Sequence, residues 1–217
     1  MITVLMATYQ GRQYLEQQLD TILAQTVPVK ILISDDGSDD GTREMLDNYA
    51  RWYPEQVVLH HRTEHTGGAA GNFFWLMQEA LKDEKNEYIL FSDQDDVWEN
   101  DKVSVMLHRM KVLEKGLGSA CPILLYSDME VVDEELYEIS PSFASYTHQD
   151  PDRSSFAELL VENQVTGGAS MINRALLMRC AKAPEVCCMH DWWIALTASC
   201  FGIIEFMPRA LSKYRQH

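Results

Sequence analysis

The sequence predicts an α/β fold, a single domain with a mostly parallel central sheet flanked by helices. Three observations carry this. Up to about residue 100, short β-branched runs alternate with segments of helical periodicity, the pattern of parallel strands joined by right-handed crossovers. The second and fourth of these runs break off into clusters of Asp, Ser, Gly or Gln, polar turns that suit the ends of buried strands. No internal repeat or flexible linker divides the 217 residues, of which 46% are hydrophobic, so the chain reads as one domain over 1–217 with a sizeable core.

Each element follows from its own pattern. Ile2 to Met6 is apolar and β-branched, a first strand, and Ala7-Thr8-Tyr9-Gln10-Gly11 is its polar turn. Leu15, Leu19, Ile22 and Leu23 fall on one helical face. Val29 to Ile33 is a second strand, ending in Ser34-Asp35-Asp36-Gly37-Ser38, and a helix with Met45, Leu46, Tyr49 and Tyr53 on one side follows. Val57 to His60 is a third strand. The small-residue loop from His65 to Asn72 leads into a helix with Phe73, Leu76, Met77, Ala80 and Leu81 inward. Tyr88 to Phe91 is the fourth strand, and Lys102 to Lys115 is helical through Val103, Met106, Leu107, Met110 and Leu113.

The second half is less regular. Ile123 to Tyr126 is a strand running into Ser127-Asp128, and the polar stretch from about Ser140 to Ser155 reads as a loop. Phe156 to Val161 is a short helix. Gln164 to Ile172 reads as a strand or turn with close backbone approach at Gly167 and Gly168. Ala175 to Ala181 and His190 to Cys200 are helical, and Ile203 to Phe206 is a last strand. A polar, aromatic stop at Lys213 to His217 without a helix cap reads as the end of a piece of a longer protein.

The fourth strand ends in Ser92-Asp93-Gln94-Asp95-Asp96. Three carboxylates within four residues repel one another and call for a positive partner. A hard divalent cation with oxygen ligands, Mn²⁺ or Mg²⁺, fits best, since such an ion takes one or two carboxylates and completes its shell with water and phosphate oxygens. Open α/β sheets bind ligands at this end of their strands. At the second strand end a carboxylate of Asp35 or Asp36 can accept a hydrogen bond from a nucleobase or ribose; Asp36, Ser38 or Asp39 can equally cap the next helix.

Composition excludes several classes. A net charge of −15 argues against nucleic-acid binding. The five cysteines include no C-x-x-C pair, which fits free thiols in a reducing compartment rather than a disulfide framework or a zinc ribbon. No apolar run reaches the length of a transmembrane span, and the N-terminus is not a secretory signal. The glycine-rich phosphate loop of nucleoside triphosphatases and the G-x-S-x-G hydrolase elbow are both missing.

ATYQG after the first strand, SDDGSDDGT after the second and SDQDD-x-W after the fourth resemble the inverting glycosyltransferases of family 2, which have the GT-A fold. The later TGG, HDWW and YRQH stretches resemble the rhamnosyltransferase-like branch. The resemblance implies a nucleotide-sugar-binding half over about 1–100 and an acceptor-binding half over about 101–217. It implies that Ala7, Thr8 and Tyr9 line the base and ribose and that Asp36 or Asp35 binds the pyrimidine. Asp93-Gln94-Asp95 matches the family's D-x-D motif, Asp93 towards the ribose and Asp95 on the metal. Asn72 keeps the position before its helix, while His65 replaces the usual Asn.

By the same resemblance Asp191 is the general base, His217 a further metal ligand and Arg215 a phosphate contact. Asp128, Gly167, Gly168, His190 and Trp192 shape the acceptor pocket. Read alone, Asp191 is also a fitting helix cap with its tryptophans in the core. The implied reaction moves a sugar, rhamnose by the branch, from a dTDP- or UDP-sugar to a saccharide or lipid-linked saccharide. The implied place is cytoplasmic, at the inner face of the membrane in cell-surface polysaccharide synthesis. A non-catalytic sugar-nucleotide-binding module is the alternative; a nucleotidyltransferase would want a basic glycine-rich first loop, and this chain has only Gly11-Arg12 there.

Overall fold

The computed structural model describes residues 1–62 and 67–217. The first half follows the expected alternation: β1 (Ile2–Thr8), α1 (Leu15–Leu23), β2 (Lys30–Asp35), α2 (Thr42–Trp52), β3 (Val57–His61), α3 (Ala69–Leu81) and β4 (Tyr88–Ser92). Then come β5 (Val97–Trp98), α4 (Lys102–Leu117), β6 (Ile123–Val132), β7 (Glu138–Ser140), α5 (Phe143–Tyr146) and α6 (Phe156–Leu159). A 3₁₀ turn at Gly167–Ala169 leads into β8 (Ser170–Asn173), α7 (Arg174–Cys180), α8 (His190–Phe201) and β9 (Ile203–Arg215).

Among the described residues the strands form one nine-stranded sheet, ordered β3-β2-β1-β4-β8-β6-β9-β5, with β7 added beside β6. The β3-β2-β1-β4 half is parallel throughout. β8 enters antiparallel between β4 and β6, while β6 and β9 are again parallel. Chain order reverses between β1 and β4, so a crevice opens at the carboxyl ends of these two strands.

The pleat sorts the core into two layers. Val4, Met6, Ile31, Ile33 and Leu90 face α1, α2 and α4, packing on Leu15, Leu19, Ile22, Met45, Leu46, Val103 and Met106. Their neighbours Leu5, Leu32, Ile89 and Phe91 face α3, α7 and α8, packing on Phe73, Leu76, Met77, Leu176 and Ile194. A strand buried on both faces needs an unbroken apolar run, and β1, β2 and β4 supply one.

The second half differs from expectation in several parts: β6 continues past Tyr126 to Val132, where β7, not expected, pairs with it. β9 runs on to Arg215 because the ladder slips past Pro208 and Arg209 in a bulge, so Ser127 pairs with Met207 and Asp128 with Ala210. Among the described residues β5 pairs only with β9, and so exists because β9 continues. Within the stretch read as a loop, α5 forms because Asp128 accepts hydrogen bonds from Ser142 Oγ, Phe143 N and Ala144 N at 2.6, 3.0 and 3.2 Å.

Candidate active site

A cleft of about 940 Å³ opens where the crevice was expected. The end of β1 contributes Ala7, Thr8 and Tyr9, the end of β2 contributes Asp36, and the turn after β4 contributes Asp93, Gln94 and Asp95. Gly67, Gly68, Asn72 and Phe73 close one side, and Tyr214 to His217 the other. Ten residues singled out from the sequence, Arg215 among them, therefore share one wall-to-wall space. Asp35, Asp128, Gly167, Gly168, His190, Asp191 and Trp192 lie outside its lining. Asn72 sits within α3 rather than ahead of it, and His65 lies outside the described residues.

The first turn is a wall and not a phosphate cradle. Four successive amides are already spent on side chains: Tyr9 N on Gln94 Oε1, Gln10 N on Ser38 Oγ, Gly11 N on Thr42 Oγ1 and Arg12 N on Asp40 Oδ2, at 2.9 to 3.0 Å. A backbone nest for an anion needs such amides free. Gln94 also donates its Nε2 to Tyr9 O at 2.9 Å, so its amide pairs with the Tyr9 backbone at two points. A Cβ on Gly11 would lie 2.3 Å from Gln94 Oε1, so a larger residue there would push the Gln94 amide off the Tyr9 backbone.

The two aspartates at the end of β2 divide their work. Asp35 has no exposed surface. Its carboxylate accepts from Thr8 Oγ1, Ser38 Oγ, Ser38 N and Arg43 Nε at 3.1, 2.5, 3.0 and 2.8 Å. Burial pulls its pKa up, but the bonds from Ser38, Arg43 and Thr8 outweigh it and hold the group below 3.8. Asp35 therefore locks the loop, while Asp36 meets the cleft. Asp35→Ala strands these donors and lowers stability by about 2–4 kcal/mol at neutral pH. A carboxylate with a depressed folded pKa stabilises above its unfolded pKa and loses that contribution as pH falls through the folded value. The gap between variant and parent in urea midpoint accordingly narrows once pH drops below 3.8; a gap constant with pH would contradict this role.

The acidic turn is electrostatically strained. Burial, with the charges of Asp95 and Asp191, raises Asp93 to about 7 against the pull of Lys102. Asp96 is raised well above the usual carboxylate range by burial and by Asp93 and Asp95. Asp95 turns outward, and its Oδ2 lies 2.9 Å from His217 Nε2. Tyr14 stacks on His217 with centroids 4.9 Å apart, and the Arg215 guanidinium lies 4.5 Å over the same tyrosine ring. Arg215 donates to Asp95 O at 3.0 Å, to Gln17 Oε1 at 2.6 Å and to Glu134 O. This residue, expected at a phosphate, is only 5% exposed and spends its guanidinium pinning the tail across the cleft.

Among the described residues no group of three or more His, Cys, Asp or Glu side chains is arranged to hold a metal ion unaided. Asp95 and His217 offer two converging donors beside an acidic turn whose charge Lys102 offsets only in part. That donor set fits Mn²⁺ or Mg²⁺ completed by water and diphosphate oxygens, and would be too sparse for a closed structural site.

Asp191 approaches from the other side, in the first turn of α8. Its Oδ1 accepts from Trp192 N at 2.6 Å and from Asn163 Nδ2 at 3.2 Å, and its Oδ2 accepts from Gly167 N at 3.1 Å. Burial raises its pKa above 3.8, with the hydrogen bonds from Gly167, Trp192 and Asn163 opposing. The Gly167-Gly168 turn joins the two sets of carboxylates. A Cβ on Gly168 would lie 3.0 Å from both Asp93 Oδ2 and Asp96 Oδ2, and one on Gly167 would lie 2.9 Å from His190 Nε2.

Other expected acceptor residues are placed for support. His190 is 2% exposed and stacks on Phe73 at 4.0 Å, and burial pulls its pKa down to about 3, so it packs as a neutral ring. Trp192 Nε1 donates to Leu159 O at 2.5 Å, tying α8 to α6. Asp128 is taken up by α5, as described. Sequence reasoning missed Tyr14, Asn163 and Lys102. Lys102 carried a signal: with Met106 and Met110 it sits at i, i+4 and i+8, on the buried face of α4.

Comparison with known proteins bears on these observations. The family model described as Glycosyl transferase family 2 matches residues 3–179. The dTDP-rhamnosyl transferase RfbG of Shigella flexneri is 28% identical over 223 residues, covering 98% of this chain and 71% of RfbG. TuaG of Bacillus subtilis, a glycosyltransferase assigned to teichuronic acid biosynthesis, is 31% identical over 177 residues, covering 80% of this chain and 66% of TuaG. In fold, S. aureus TarS 1–349 in complex with UDP superposes with a TM-score of 0.68 at 16% identity, over 99% of this chain and 60% of that one. The mannosyltransferase PcManGT from Pyrobaculum calidifontis, in complex with GDP-Man and Mn²⁺, gives 0.67 at 19% identity, over 98% and 56%. With the family model running from β1 into α7, over more than half of the chain, and the fold shared with solved GT-A-type structures, this chain belongs to glycosyl transferase family 2.

Proposed function

We propose that the cleft binds a nucleoside-diphosphate sugar and that the protein transfers the sugar, with inversion, to a hydroxyl of a saccharide or lipid-linked saccharide. The observation that carries this is the convergence of Asp36, Asp93, Asp95 and His217 on one cleft, with Asp191 brought up behind Asp93 by the Gly167-Gly168 turn. In this reading Asp36 accepts from the base, Asp93 faces the ribose, and Thr8 and Tyr9 form the wall beside them. Asp95 and His217 would hold Mn²⁺ or Mg²⁺, which when bound supplies positive charge to the leaving diphosphate. Asp191 takes the proton of the acceptor hydroxyl as that oxygen attacks the anomeric carbon from the face opposite the departing diphosphate. Its partial desolvation makes it a better base near neutral pH.

Rhamnose from a dTDP donor is the sugar we favour, because RfbG matches nearly the whole of this chain. TuaG supports a place in cell-surface polysaccharide assembly, which we set at the cytoplasmic face of the membrane. Among the described residues no helix is long and apolar enough to cross a membrane, so a lipid-linked acceptor would be met at the surface. A second reading, a module that binds donor without turning it over, is favoured by one observation: the Asp191 carboxylate is already occupied as a helix cap.

A thermal-shift screen with dTDP-, UDP- and GDP-sugars, with and without Mn²⁺, tests donor binding directly. The expected result is an Mn²⁺-dependent rise in Tm, largest with dTDP-rhamnose. No shift with any donor in Mn²⁺ would sink the proposal, and a shift without release of nucleotide in the presence of acceptor would favour the binding module.

A further inference from the structure

Lys102, the first residue of α4, has no exposed surface. Lysine is almost never buried without a partner, because the ammonium loses its hydration. The neighbouring positions on this face of α4, Met106 and Met110, are filled by methionine. A methionine at 102 would fill a similar volume at far less cost, so packing alone gives no reason for an ammonium there.

What the ammonium touches supplies one. Lys102 Nζ donates to Gly168 O at 2.7 Å and to Ser212 Oγ on β9 at 3.3 Å, and it sits 4.1 Å from the centroid of the Trp98 ring on β5. Gly168 is the residue whose Cβ would press on Asp93 and Asp96. The next residue back, Gly167, donates its amide to Asp191 Oδ2 at 3.1 Å and packs against His190. A continuous path of contacts thus runs from α4 through the glycine turn to the carboxylate at the head of α8.

We propose that Lys102 is a positioning residue: its ammonium grips the carbonyl of Gly168 and so fixes the glycine turn from which Asp191 is aimed at the acceptor hydroxyl. The hydrogen bonds of Lys102 go to the turn and to β9, while its charge also pulls on Asp93 and Asp96, so the transfer step is measured against donor affinity to tell the grip on the turn from that electrostatic pull. The proposal rests on Asp191 being the base, and its test separates the two ideas.

Lys102→Met is compared with the parent protein and with Asp191→Asn, using the donor that gives the Mn²⁺-dependent Tm shift. The expected result is a fall in kcat of about tenfold or more, since small misplacement of a reacting group is costly. Donor Kd, from the same thermal shift, changes by less than about threefold. In the Asp191→Asn background Lys102→Met lowers the residual turnover by less than about threefold, because an absent base cannot be misaimed. Unchanged kcat, or equal losses in kcat and donor affinity, overturns the proposal. So does an equal loss of kcat in both backgrounds; if residual turnover lies below detection, the split between kcat and Kd decides. If Lys102→Met does not melt cooperatively, Lys102→Gln, which keeps an N–H donor of shorter reach and no charge, takes its place and must show the same split. Failure of the parent protein to transfer from any donor, or full activity in Asp191→Asn, removes the base reading instead.

Discussion

Asp191→Asn retains Mn²⁺-dependent donor binding and lowers transfer by about 10²–10⁴-fold, the range that a general base contributes. Asn keeps the size of the side chain and one acceptor oxygen, so the cap on Trp192 N or the bond from Gly167 N survives. What it loses is the ability to take a proton. Asp191 lies outside the lining of the donor cleft, which is why donor affinity, read by thermal shift, stays within a few-fold while kcat collapses.

The pH profile gives the same assignment a second reading. Desolvation raises the Asp191 pKa above 3.8, more than its hydrogen bonds lower it. The base is competent only when ionised, so kcat falls on the acid side as pH drops through this raised value, and the limb is absent from Asp191→Asn. Activity in the variant equal to that of the parent protein would exclude Asp191 from proton transfer.

The parallel half of the sheet was legible because its signals are local. A buried strand needs an apolar run, a covering helix needs an apolar stripe, and both are written within about ten residues. The acidic turn after β4 was legible as a strand end for a similar reason, since like charges in succession cannot continue a buried strand. What was illegible depends on partners far along the chain. Asp35 and Asp36 are chemically alike, and only the loop that Ser38, Arg43 and Thr8 build around Asp35 sends one to the frame and leaves the other at the cleft. α5 owes its start to a carboxylate 14 residues before its capping Ser142. Pro208 reads as a strand terminator, yet β9 carries it in a bulge beside β6 and so delivers Arg215 and His217 to the site.

Asp95→Ala abolishes the Mn²⁺-dependent part of the donor thermal shift, and a chelator does the same to the parent protein. His217→Ala is milder, raising the Mn²⁺ concentration needed for half-maximal activity by about 10–100-fold, the scale of losing one support of a metal site. The ranking follows from charge and anchorage. Asp95 brings the negative charge that a hard cation requires, and its backbone is held by Arg215 at 3.0 Å. His217 brings an imidazole nitrogen without negative charge, steadied by stacking on Tyr14. Tyr14→Leu removes that platform and the ring beneath Arg215 together, and so moves the Mn²⁺ requirement in the same direction as His217→Ala while sparing Asp95 itself. A full Mn²⁺ response in Asp95→Ala would place the ion elsewhere. An equal loss in both single variants would mean that the two donors act as one unit, bound through the 2.9 Å contact between Asp95 Oδ2 and His217 Nε2.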